Sequence, residues 1–105
     1  VTNLLYLVYI EVPAEVGTRV DFEEQGPGQI IGYMMNRFAP EAVYIKAGTR
    51  ASFMVADLNE TQMTELMLIV SKNFGTYPEF TALIPAAAIP EMAGKAIEAV
   101  KKAQI

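Results

Sequence analysis

Tyr33 and Arg37 stand four residues apart in a stretch whose apolar spacing is helical, so they share one face a single turn apart. Such a pair could anchor a ligand at the mouth of an apolar pocket. The guanidinium would meet a carboxylate and the phenol would fix its orientation. The competing reading is an arginine laying its stem along an aromatic ring at the domain surface. Arg19 and Arg50 are rival anchors, and Arg50, beside a turn, has the sequence context of a solvated loop residue. Little else could carry chemistry. The chain contains no cysteine and no histidine, which removes disulfides, thiol nucleophiles, the usual general base and the commonest metal ligand. With Ser52 and Ser71 as its serines, it has no hydrolase triad. Acid–base work would fall to carboxylates, tyrosines or lysines such as Glu24, Tyr33 or Tyr44.

Two motifs fail on inspection. Gly26-Pro27-Gly28-Gln29-Ile30-Ile31-Gly32 has the glycines of a nucleotide-binding loop at the wrong spacing, and Pro27 removes an amide donor. A hinge or helix start fits better, and a glycine-rich break beside a pocket could gate it. Asp57, Asn59 and Thr61 have calcium-loop spacing, but Gln62 stands where glycine is needed and Leu68 where glutamate is needed. No metal and no cofactor is expected. Met34, Met35, Met54, Met63 and Met67, with Phe22, Phe38, Phe53 and Phe74, form a soft interior. That is ordinary core material, and it also suits adaptable apolar binding.

At 105 residues the chain is a single domain, 1–105, able to bury a core without staples. Its net charge is −4 and its eight basic residues are scattered, so neither nucleic acid nor an anionic membrane is an expected partner. The hydrophobic fraction is 52% and the charged fraction 19%, below the roughly 25% typical of soluble domains. The apolar surplus must enter a partner interface, a ligand pocket, or both. The N-terminal apolar run is too short to span a bilayer and lacks a basic flank. Neither a transmembrane helix nor a signal peptide is expected, and a cytoplasmic location is the default. Asn59-Glu60-Thr61 matches a glycosylation acceptor only formally.

The elements that must position these residues follow from periodicity. Leu4 to Ile10 is continuously apolar, and a strand from about Asn3 to Val12 stops at Pro13. Pro13 to Gly17 reads as a turn, and Thr18 to Gln25 is ambiguous. A helix is predicted from about Gly28 to Phe38, with an apolar stripe of Ile31, Met34, Met35 and Phe38 beside a second stripe of Ile30, Tyr33 and Arg37. Pro40 ends it. Ala42 to Ala56 reads as a hairpin turning at Ala47-Gly48-Thr49. Asn59 with Gln62 fits a capping box for a helix reaching about Asn73, with Met63, Leu66, Met67, Val70 and Phe74 inward and Gly75 as its stop. Glu79 to Ala86 favours a strand that Pro85 confines to an edge. Pro90 opens a terminal helix with Ala93, Ile97 and Val100 on one side.

The order is strand, helix, strand, strand, helix, strand and an extra helix. That is an α+β, ferredoxin-like βαββαβ layout with an antiparallel four-stranded sheet and helices on one face. The far side of such a sheet is normally polar. Strand one instead offers apolar residues to both sides, and another copy of the same sheet, brought by a two-fold homodimer, is the simplest cover. Tyr6, Val8 and Ile10 are assigned to the helix side, and Leu5, Leu7 and Tyr9 to the dimer side.

The strand exit Ile10-Glu11-Val12-Pro13, the hairpin Val43-Tyr44-Ile45-Lys46-Ala47-Gly48-Thr49 and the segment Phe53-Met54-Val55-Ala56-Asp57 resemble the dimeric α/β-barrel superfamily. Within it they are similar to small proteins of the muconolactone-isomerase and YCII-related kind. The resemblance spans roughly residues 3 to 86. It implies a pocket between sheet and helices and a homodimer. Catalytic members often rely on a histidine or tryptophan, both absent here, so no catalytic residue is carried over. The expected site is an apolar or fatty-acid-like binding pocket lined by Tyr6, Val8, Ile31, Tyr33, Met34, Arg37, Phe53, Met67 and Phe74. The alternatives are a cofactor-independent isomerase or monooxygenase acting on an aromatic or lactone substrate, and a structural or regulatory dimer without a ligand.

Overall fold

The computed structural model describes residues 4–22 and 27–105. The architecture is α+β. Strand β1 (Leu4–Glu11) is followed by helices α1 (Ala14–Phe22) and α2 (Gly28–Phe38), then strands β2 (Ala42–Ile45) and β3 (Ala51–Leu58). Helix α3 (Glu60–Phe74), strand β4 (Glu79–Leu83), a 3₁₀ turn at Ala86–Ala88 and helix α4 (Ile89–Ala103) complete it. The four strands form one open sheet in the order β2-β3-β1-β4, with every neighbouring pair antiparallel.

The registers Val8↔Met54 and Val8↔Phe80 place β1 at the centre of the sheet. Side chains alternate across a strand, and the core follows that parity. Val8 and Ala56 are fully buried and Ile10, Met54 and Leu58 nearly so, with Tyr6 and Phe80 packed against them. The helices supply Val20, Phe38, Leu66, Val70 and Phe74 to the same cluster. The assignment of Tyr6, Val8 and Ile10 to the helix side therefore agrees with the structure. The Tyr6 and Phe80 rings meet edge to face, with centroids 6.0 Å apart.

Local signals account for the element ends. The Asn59 side chain accepts from the Gln62 amide at 2.9 Å, and the Gln62 side chain accepts from the Asn59 amide at 3.1 Å, closing the capping box of α3. Gly75 ends that helix at φ 68°, and Gly48 turns the β2–β3 hairpin at φ 81°. β4 is an edge strand, as Pro85 requires, but ends at Leu83 rather than Ala86. Pro90 lies in the first turn of α4.

Three expectations need correction. Pro13 to Gly17 is not a turn: α1 begins at Ala14, and the Gly17 amide donates to the Pro13 carbonyl at 2.9 Å. Pro13 stands just ahead of the first helical residue, where its missing amide hydrogen costs no helical bond. Thr18 to Phe22 continue this helix, so two helical segments rather than one join β1 to β2. Residues 23–26, including Glu23, Glu24, Gln25 and Gly26, lie outside the described residues, and the suggested gate falls partly on them. In α2 the inward stripe is Ile30, Met34 and Phe38, while Ile31 and Met35 stay exposed. The i, i+4, i+8 row meets the sheet, rotated about one residue from the predicted stripe.

Candidate functional site

Between the helix side of the sheet and helices α1, α2 and α3 lies an open cleft of about 290 Å³. The sheet contributes Ile10, Ile45 and Ser52, and Val12 extends that wall past the end of β1. The helices contribute Val20, Ile31, Met34 and Phe74. The wall is overwhelmingly apolar, and its charged groups, Asp21 and Arg50, sit at the rim with Thr49.

Arg50 stands just before β3. Its backbone carbonyl accepts from the Val12 amide at 2.8 Å, which ties the hairpin to the end of β1. Its guanidinium pairs with the Asp21 carboxylate and donates to the Thr18 hydroxyl at 3.1 Å. Both partners are on α1, one turn apart. Gly17 makes this possible: a Cβ there would overlap the Arg50 side chain, so the missing side chain is the slot through which arginine crosses the helix. A guanidinium carries five N–H donors. The bonds to Asp21 and Thr18 use two of them.

The structure sorts the expected site residues. Ile31, Met34 and Phe74 line the cleft. Tyr6 and Val8 belong to the core on the same sheet face without lining it. Phe53 is on the opposite face, its ring 4.9 Å from that of Tyr9, because odd-numbered β3 positions point away from the helices. Met67 lies on the exposed side of α3, and Tyr33 is 53% exposed on α2. Of the other groups weighed for acid–base work, Tyr44 is exposed on the far sheet face and Glu24 lies outside the described residues. Val12, Val20, Asp21 and Ile45 line the cleft without having been expected there, and Arg50, a rival anchor in the sequence, lines it as well. Ile10, which strand parity assigns to the helix side, completes that wall. The crossing of Arg50 over Gly17 joins distant segments and leaves no local trace.

Arg37 is committed elsewhere. Its Nε and Nη2 each donate to a Glu65 carboxylate oxygen at 2.8 Å, a bidentate pair joining α2 to α3. The hydrogen bond from Arg37 holds the Glu65 carboxyl below its ordinary range, against some desolvation. The guanidinium is raised in turn, first by its bond to Glu65 and in lesser part by Tyr33. The folded carboxyl is depressed, so its stabilising contribution is present above the ordinary carboxylate range and fades as pH falls through the lowered value. An NMR titration of Glu65 is expected to show a midpoint below that of a free glutamate. In Arg37→Ala the midpoint should return to the ordinary range; an unchanged midpoint would dissolve the pair as a structural clamp.

Among the described residues no helix packs on the opposite sheet face. Leu5, Leu7 and Tyr9 of β1, Phe53 and Val55 of β3 and Leu83 of β4 share it, all partly exposed. Glu11, Asp57 and Glu79 stand at its edges. Partial burial raises the Tyr9 hydroxyl's pKa, and the neighbouring carboxylates of Glu11 and Glu79 add to that.

Among the described residues no acidic cluster is gathered to hold a metal ion, and no helix is long and apolar enough to cross a membrane. Protein-family models, characterised proteins and solved structures give no match to this chain.

Proposed function

We propose that the chain is a homodimeric binding protein of the dimeric α/β-barrel, ferredoxin-like kind, whose cleft takes a small apolar molecule with a carboxylate head. The observation that carries this reading is the apolar cleft with one guanidinium at its rim. Its volume of about 290 Å³ is at the small end of ligand pockets, which suits a short alkyl chain or a single ring. Arg50 replaces Arg37 as the anchor, because Glu65 already occupies Arg37 in a bidentate pair. A carboxylate would share the Arg50 guanidinium with Asp21, and the alkyl part would lie against Val20, Met34 and Phe74. The strand order and the uncovered apolar sheet face support the superfamily and homodimer parts of the proposal. Among the described cleft residues the isomerase reading would rest on Asp21 as its acid–base group, and Asp21 is paired with Arg50.

Calorimetric and NMR titration with octanoate and 1-octanol tests this. Octanoate is expected to bind, to shift the signals of Val20, Met34 and Phe74, and to lose about tenfold in affinity in Arg50→Ala, the order of one charge-assisted hydrogen bond. Octanol binding should change little in that variant. Val20→Trp, which fills the cleft, should abolish both. Absence of any shift with either probe at millimolar concentration would discard the binding reading.

A further inference from the structure

The mouth of the cleft carries two charges of opposite sign, while the wall below it is apolar. Asp21 and Arg50 are the charged groups among the described residues that line it. They come from separate segments: Asp21 stands near the end of α1, and Arg50 stands 29 positions later, just ahead of β3. Thr18, one turn before Asp21, accepts from the same guanidinium at 3.1 Å, and Thr49 stands beside the pair on the rim. Gly17 leaves the space through which the Arg50 side chain crosses α1 to reach both partners.

As a stabilising contact the pair does little. The Arg50 and Asp21 side chains are 38% and 40% exposed, and exposed ion pairs contribute little to folding. The same exposure puts both charges within reach of a ligand head. An ionised carboxylate has room for about four donors, and Arg50 supplies one to Asp21 at Oδ2.

Charge balance decides which head fits this rim. Arg50 and Asp21 cancel each other. A plain carboxylate entering the cleft would set two carboxylates on one guanidinium and leave a negative charge uncompensated at the edge of an apolar wall. A plain amine would set an ammonium beside the guanidinium. A head that carries both signs leaves neither defect, because its carboxylate meets Arg50 and its ammonium meets Asp21. Spacing narrows the head further. Arg50 and Asp21 are in direct contact, so the two groups they read must also be close together, as they are on the single α-carbon of an amino acid.

We propose that the ligand is an apolar α-amino acid. Arg50 holds its carboxylate, Asp21 holds its ammonium, and its side chain lies against Val20, Met34 and Phe74. This rests on the binding reading above and names the head group. A cleft of about 290 Å³ suits a short alkyl chain or a single ring, which is what the apolar amino acids carry. Met34 is unbranched and adapts to either shape. A polar side chain would press its polar end against the same wall and lose its hydration there.

Three probes that differ only in charge test this. L-2-Aminooctanoate carries both groups, octanoate lacks the ammonium and heptylamine lacks the carboxylate. Calorimetric titration of the parent protein is expected to find L-2-aminooctanoate bound about tenfold more tightly than either single-charge probe, the order of one charge-assisted hydrogen bond. Asp21→Asn keeps the shape of the side chain and removes its charge. It should bring L-2-aminooctanoate down to the level of octanoate and leave octanoate bound at least as tightly as in the parent. An equal loss for both acids would make Asp21 a prop for Arg50 and overturn its assignment to the ammonium. Octanoate bound as tightly as L-2-aminooctanoate by the parent, a comparison that needs no variant to fold, would overturn the amino acid and leave the carboxylate reading standing. Absence of binding by all three probes at millimolar concentration would discard both.

Discussion

Leu66→Ala is expected to lower the free energy of unfolding by about 3–5 kcal/mol, the upper range for a buried leucine truncated where its surroundings cannot close in. Leu66 is fully buried and shares one cluster with Val8, Ala56, Leu58 and Val70. It lies in the middle of α3, whose ends are fixed by the Asn59–Gln62 capping box and the left-handed turn at Gly75. The bidentate Arg37–Glu65 pair holds the helix to α2 beside it. A helix pinned at these points has little freedom to sink toward the sheet, so the deleted methyl groups leave a void. Stabilities of domains this size run from about 5 to 15 kcal/mol, so the variant would forfeit a large share. Urea unfolding at matched protein concentration should move the midpoint with an unchanged slope. Leu68→Ala, on the same helix at 58% exposure, should stay within about 0.5 kcal/mol of the parent. Equal losses in the two variants would mean that α3 is not seated by Leu66.

What was legible in the sequence is what local chemistry dictates. Alternation in β1 separated the residues of its two faces, because a strand has no other way to dispose of seven consecutive apolar side chains. Asn59 with Gln62, Gly75, Gly48, Pro85 and Pro90 each marked an element boundary through a backbone property of the residue itself. α1 was hidden for the converse reason. Pro13 and Gly17 carry the chemistry of a turn, yet Gly17 is helical because Arg50 crosses the helix where its side chain would be. The surroundings of the two arginines were hidden on the same grounds. Arg37 beside Tyr33 makes a plausible ligand clamp until α3 delivers Glu65 to it, while Arg50 looks like a loop residue until α1 delivers Asp21 and Thr18. Contacts between segments far apart in sequence decided both cases. Phe53 was expected in the pocket from its aromatic character alone, and one position of strand register put it on the opposite face.

Leu7→Asp and Val8→Asp, adjacent on the central strand, are expected to fail in different ways. Val8 is fully exposed to the core and fully shielded from water, between Met54 and Phe80 on its neighbouring strands. A carboxylate there has no cation or donor to meet, and the choice between an unpaired buried charge and a neutral acid with unsatisfied oxygens costs several kcal/mol either way. Far-UV circular dichroism should report an unfolded or grossly destabilised chain. Leu7 lies on the other face, between Val55 and Thr81, where no element among the described residues covers it. In a lone chain, aspartate there would remain wetted and the fold would stand, with its circular dichroism and urea midpoint close to those of the parent. If a second copy covers that face, the introduced charge is buried at the interface centre among apolar side chains, one cross-strand pair from the existing Asp57 and Glu79. Truncating or charging such a central position removes more than about 2 kcal/mol of association energy, at least thirtyfold in the dissociation constant. Sedimentation equilibrium should therefore find Leu7→Asp monomeric and folded at concentrations where the parent is dimeric. A Leu7→Asp protein that dimerises as the parent does would move the interface off this sheet face altogether.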